Sequence, residues 1–135
     1  MLSEQTLSFA CAVERQMHTS LIELDDLTSQ LADAVSRQDQ VSVRLFLSMR
    51  QEEIDRMLGY KAALRRHCAE LPAQDGARLR LLLTGKPGDE PPDKVQALLK
   101  QVNTNRNLLE KICRADQSVS RRFGGSASFY AGKDD

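Results

Sequence analysis

From Leu7 to Val35 apolar side chains return in a heptad rhythm, and their seam holds Ala10, Val13, Met17, Leu24, Leu27, Leu31 and Ala34. Leu21 and Val35 widen that seam beyond the narrow stripe of a two-stranded coiled coil. Ser3 stands where an N-cap belongs, and a helix over this stretch is about 45 Å long at roughly 1.5 Å per residue. A second seam runs Val43, Leu47, Ile54, Met57, Leu64, Cys68 and Leu71, about two residues out of step with the first. At roughly 100° per residue, that slip turns the stripe by about 200°. One straight helix would then show opposite faces to its core. A turn within Ser36–Gln40 resolves the conflict although the segment has neither Gly nor Pro, and Asp39 is a competent cap for the second helix. A single helix kinked at this point is the alternative. Pro72 stops the second helix, because the residue before a proline is pushed out of the α region.

Ala77 to Thr84 forms a short helix with Asp75 as cap and Gly85 as terminator, and its docking on the remainder is left open. Gly85 to Pro92 (GKPGDEPP) is a loop, since its three Pro and two Gly preclude regular structure. Asp93 then caps a third long helix, with Gln96 in the capping-box position. Its seam is Val95, Leu98, Val102, Leu109, Ile112, Val119 and Phe123, flanked by Leu99 and Cys113, and Gly124-Gly125 ends it. The predicted fold is all-α: an elongated antiparallel helical hairpin plus a third long helix, a three-helix coiled-coil-like bundle, with a short extra helix near 76–84. Residues 1–125 make one helical-bundle domain, and 126–135 (SASFYAGKDD) a mobile C-terminal tail. Arg50 and Lys61 interrupt the second seam, and Asn105 and Asp116 the third. Polar residues at such positions are expensive when fully buried and often set register. Wide stripes on so few rods leave apolar surface available for a partner.

Composition narrows the function classes. In 135 residues aromatics are 4% and Trp is absent, which argues against a β-sandwich and against a stacking platform for single strands. Nineteen basic residues balance nineteen acidic ones, so the long-range pull toward phosphate is missing. Arg65-Arg66, Arg78, Arg80 and Arg121-Arg122 are the densest basic positions, but no aromatics interleave with them, and no nucleic-acid partner is expected. No stretch approaches the ~18 apolar residues of a membrane span, and MLSEQTLSFACAVERQ lacks the pattern of a secretory signal. Cys11, Cys68 and Cys113 are odd in number and hold no C-x-x-C pair, so neither a disulfide framework nor a zinc knuckle fits. They read as small apolar packers in a reducing compartment, and the expected localisation is cytoplasmic.

Candidate chemistry is thin. Glu14 and His18 share a helix face four residues apart, yet both fall on the polar side of the first seam and no second such pair exists to complete a metal site. His67 reads as a boundary residue. Thr84-Gly85-Lys86-Pro87 resembles a phosphate loop only faintly, because position 80 is Arg and position 87 is Pro. Asp25-Asp26 and Glu52-Glu53-Asp55 read as solvated faces, and no serine sits in a strand-to-helix elbow. No enzyme, cofactor or metal site is expected.

Three local patterns carry a resemblance. The run VSVRLFLSMRQEEIDRMLGYKAALRRHC (41–68), the stretch NTNRNLLEKI (103–112) with Asn105, Asn107, Leu108 and Leu109, and Phe129-Tyr130-Ala131-Gly132 are similar to segments of the FlgN family of flagellar type III export chaperones. The resemblance covers about Leu7 to Gly132, as pattern rather than identity. It implies a cytoplasmic chaperone that binds the disordered C-terminal segments of hook–filament junction (hook-associated) proteins and keeps them unpolymerised for secretion. Hook-associated protein C-termini and components of the export apparatus are the implied partners. Such a segment can lie in an apolar groove as an added helix, read by anchors at helical spacing. The candidate partner-binding residues are Val102, Leu109, Ile112, Val119, Phe123 and Tyr130, of which Val119, Phe123 and Tyr130 are expected to be partly exposed. Met49 and Met57 would contribute if they border the groove. The alternatives are a structural coiled-coil or adaptor protein that forms a homo-oligomer through the same seams, a helical-bundle enzyme, and a chaperone for a different type III substrate.

Overall fold

A computed structural model describes the backbone of residues 1–122 and the side chains of 1–121. The tail expected at 126–135, the stop at Gly124-Gly125, and the candidates Phe123 and Tyr130 lie outside the described residues. Four helices follow in order: α1 (Glu4–Ser36), α2 (Gln40–Glu70), α3 (Ala73–Leu83) and α4 (Pro92–Arg122). No strand occurs among the described residues, and none of their helices is long and apolar enough to cross a membrane.

The helix ends explain the breaks in the pattern. Ser3 Oγ accepts the Thr6 N–H at 3.1 Å and opens α1. The α1–α2 turn is a Schellman motif: the Asp39 N–H bonds the Ala34 carbonyl at 2.9 Å and the Gln38 N–H bonds that of Val35 at 3.0 Å. Gln38 takes the left-handed conformation that glycine usually fills, with φ 58°. The turn therefore forms without glycine, and two helices replace one kinked rod. Asp39 serves both helices, because its carboxylate also accepts the Ser42 N–H at 3.1 Å and the Ser42 hydroxyl at 2.7 Å. These bonds, the hydroxyl's foremost, hold its carboxyl below the usual range.

α3 begins at Ala73, four residues before the expected start. Pro72 occupies the cap position without a side-chain bond, and Asp75 lies in the first turn instead of capping it. Leu79 and Leu82 are buried, so this helix docks on the bundle. Gly76 permits the contact: a Cβ there would fall 2.5 Å from the Cys68 carbonyl oxygen of α2.

α2 returns along α1, with the rings of Phe9 and His67 4.4 Å apart near one end and Val43 clustered with Leu31 and Ala34 near the other. α4 runs in the same direction as α1, since Asn105 meets Glu14, Lys111 meets Asp25, and Val119 joins the cluster of Leu31 and Ala34. Both α2 and α4 pack along α1, while their own backbones are nowhere adjacent. The larger apolar core runs from Leu2, just before α1, to Leu24 within it, with Met57, Leu64, Leu79, Val95, Val102 and Ile112 among its partners. A smaller one joins Leu31, Ala34, Val43 and Val119. Glu90, in the loop before α4, is buried and accepts the Leu2 N–H at 2.7 Å, which fastens that loop to the start of the chain.

Candidate binding groove

Because the backbones of α2 and α4 flank α1 without adjoining each other, a cleft of about 400 Å³ opens between them. Its floor is Met17 and Leu21 of α1. Met57 and Leu64 form one apolar wall, Val102 and Leu109 the other, and Leu83 of α3 closes the end. Leu21, the residue that widened the first stripe, is thus a floor residue because the stripe serves two neighbours and the space between them. The volume falls within the range of pockets that bury a ligand. On α4 the surface continues past Leu109 to Cys113 and Gln117. Leu58, 57% exposed, precedes the wall residues Lys61 and Arg65 by one and two turns on the same side of α2. It prolongs that wall with apolar surface.

Three of the four polar residues that interrupt the seams find polar partners across the bundle. Arg50 Nη2 donates to both carboxylate oxygens of Asp116 at 2.6 Å, linking α2 to α4. Arg50 is 3% exposed and lies, along α2, between Val43 of the small core and Met57 of the large one. Asn105 reaches from α4 to α1, donating through Nδ2 to the Glu14 carbonyl at 2.8 Å and to Glu14 Oε1 at 3.0 Å. Its Oδ1 lies 3.0 Å from His18 Nδ1 and accepts from Gln101 Nε2 at 3.2 Å. Glu14 was expected on the solvated side of α1; it is 5% exposed and lines the groove. Burial pushes its carboxyl above the usual range, against the opposing pull of the Asn105 hydrogen bond and the Lys61 charge. The Cys68 thiol, also in the lining, is pushed up by burial as well, against the weaker opposing charge of Arg80.

Of the six residues singled out in the sequence, Val102 and Leu109 border this groove. Ile112 is buried in the large core. Val119, expected to be partly exposed, is 1% exposed and packs with Leu31, Ala34 and Val43. The reason is the direction of α4: running beside α1, it carries its last turns into the crook of the α1–α2 turn. Phe123 and Tyr130 lie outside the described residues. Met57 borders the groove, whereas Met49 is exposed on α2 away from it. Sequence reasoning placed the groove on the third helix and the tail, with Met57 of the second helix as a conditional contributor, and missed the remaining lining from α1, α2 and α3. The available signal was Lys61, a cation in the middle of an apolar seam.

Among the described residues no group of three His, Cys, Asp or Glu side chains could hold a metal ion. No family model, no curated protein and no solved structure matches the chain. What the groove can bind follows from its own geometry.

Proposed function

We propose that the protein is a binding protein of the chaperone kind, which receives an amphipathic segment of another protein in the groove between α2 and α4. The observation that carries this reading is an apolar trough with walls on separate helices and a floor on a third. A helix laid there would place apolar side chains at i, i+3, i+4 and i+7 against Met17, Leu21, Leu64 and Leu109. A long antiparallel pair, α1 and α2, followed by a further long helix, α4, supports this reading, because the FlgN resemblance implies a layout of that kind. On that ground we assign the segment to the disordered C-terminal ends of hook-associated proteins, held unpolymerised in the cytoplasm before type III export. No step of chemistry is invoked, and the protein acts by covering apolar surface that would otherwise self-associate.

A labelled C-terminal peptide of a hook-associated protein, followed by fluorescence anisotropy, tests this. Leu109→Glu places a charge in the trough and is expected to weaken binding by tenfold or more. Cys113 gives a second readout in the unaltered protein, because it is exposed beside Leu109 while Cys11 and Cys68 are buried. Saturating peptide should slow its alkylation. Binding that ignores Leu109→Glu and leaves Cys113 reactive would remove the groove from the account. Failure of every hook-associated peptide would remove the flagellar assignment.

A further inference from the structure

The walls of the groove carry charge of one sign. Lys61 and Arg65 project from α2, Arg80 from α3 and Arg106 from α4; all four are exposed and all line the cleft. Elsewhere Arg15, Arg44, Arg66, Lys86, Lys100 and Arg121 form no salt bridge among the described residues, while Arg37, Arg50, Arg56, Arg78, Lys94, Lys111 and Arg114 each form one. None of the four around the groove does so among the described residues. The one acidic residue in the lining is Glu14, which is buried. In a chain whose formal net charge is zero, this is a local concentration and not a consequence of overall basicity.

Resting on the groove reading above, we propose that the occupant is an acidic amphipathic helix, whose apolar ridge fills the trough and whose flanking carboxylates face Lys61, Arg65, Arg80 and Arg106. The placement is that of a three-cornered collar. Lys61 and Arg65 stand one turn apart on one wall, Arg106 stands on the opposite wall, and Arg80 stands at the α3 end. A helix with carboxylates on both sides of its apolar ridge meets a cation on each side; one flanked by lysines meets only repulsion. Long, exposed basic side chains around an apolar floor also bring their methylene stems over the occupant while their charged ends stay in water. Charge placed at the margin of a binding surface acts mainly on partner choice and on the rate of encounter.

Three peptides with one apolar ridge and flanking positions filled by Glu, Gln or Lys separate this inference from the reading beneath it. For the unaltered protein, anisotropy at low salt should rank them Glu, then Gln, then Lys, with at least tenfold between the extremes. That spread should shrink as salt screens the exposed charges. The double variant Lys61→Glu/Arg106→Glu changes exposed side chains only, so its helical circular dichroism should match that of the unaltered protein, and its spread between the Glu and Lys peptides should collapse, because the two new carboxylates offset Arg65 and Arg80. Equal binding of all three peptides by the unaltered protein overturns the charge inference and leaves the groove in place. Binding of none overturns both. If a fluorescent fatty acid occupies the groove and blocks Cys113 while all three peptides fail to bind, the occupant is a lipid and the inference is wrong.

Discussion

The two halves of the bundle put the same three long helices to different uses. Toward the α1–α2 turn, Leu31, Ala34, Val43 and Val119 close on one another, and Arg50 spans to Asp116. Toward the other end, the polar residue of α4 turns inward to α1, where Asn105 holds Glu14, and the facing cation Lys61 stays out of any salt bridge among the described residues. One half spends its polar residues on joining α2 to α4; the other joins α4 to α1 and leaves α2 apart. That choice of partner, more than any lack of apolar residues, is what opens the groove. The backbones of α2 and α4 are equally unpaired along their whole length, so a side chain long enough to cross between them decides whether a layer is shut.

The largest expected effect follows from breaking that crossing. The Arg50 side chain is 4% exposed and that of Asp116 28%. Asp116→Leu removes the carboxylate whose two oxygens accept from the buried Arg50 guanidinium, which should cost about 3 kcal/mol, the lower end of the range for a halved buried pair because Asp116 retains some solvent. The double variant Arg50→Leu/Asp116→Leu should recover most of that loss, since no charge is then left unmatched. Urea melts of Arg50→Leu, Asp116→Leu and the double variant supply the coupling. A coupling near zero would mean that the small apolar cluster alone closes this half.

The open half answers to pH. The Glu14 carboxyl is raised above its ordinary value of 4.5, chiefly by burial, so the folded chain binds this proton more tightly than the unfolded chain does. Between the ordinary and the raised value, stability from this group falls as pH rises; above the raised value its whole cost is present. Glu14→Gln keeps an oxygen for Asn105 Nδ2 and removes the charge. It should melt a few degrees higher than the unaltered protein at neutral pH, with the difference vanishing below about pH 4.5. Paired thermal melts from about pH 4 to about pH 8 read this directly. A gain that persists at the acid end would assign the effect to packing and not to the buried charge.

How much of this was legible in the chain depends on which interaction made each feature. The long helices were, because a period of 3.6 and the slip between Ala34 and Val43 are properties of one segment at a time. The start of α3 was not: Asp75 offered a better cap by residue type than Pro72, and only the burial of Leu79 and Leu82 together with the close approach of Gly76 to Cys68 favours the longer helix. Glu14 reads as solvated on its own helix, since its burial is created by Asn105, more than ninety positions away by the combined reach of α2, α3 and the loop. Val102 and Leu109, singled out from their seam, do border the groove; Val119 was not distinguishable from them, because what buries it is the side on which α4 passes α1. Seams show that a stripe exists, and the neighbour decides whether it is filled.

The smallest effect concerns the turn that holds the closed half together. Gln38 sits at φ 58° between two hydrogen bonds that depend on that conformation, those of its own N–H to Val35 and of the Asp39 N–H to Ala34. A side chain in the left-handed region crowds the neighbouring carbonyl, at a cost on the order of 1 kcal/mol that glycine does not incur. Gln38→Gly should therefore stabilise the chain by about 1 kcal/mol, partly offset by the freer unfolded backbone, and raise Tm by up to about 4 °C. The exposed Gln38 side chain does not line the groove, so peptide affinity should stay unchanged. If Gln38→Gly instead alters peptide affinity as well as Tm, the turn and the groove are mechanically linked, and the two halves have to be treated as one cooperative unit.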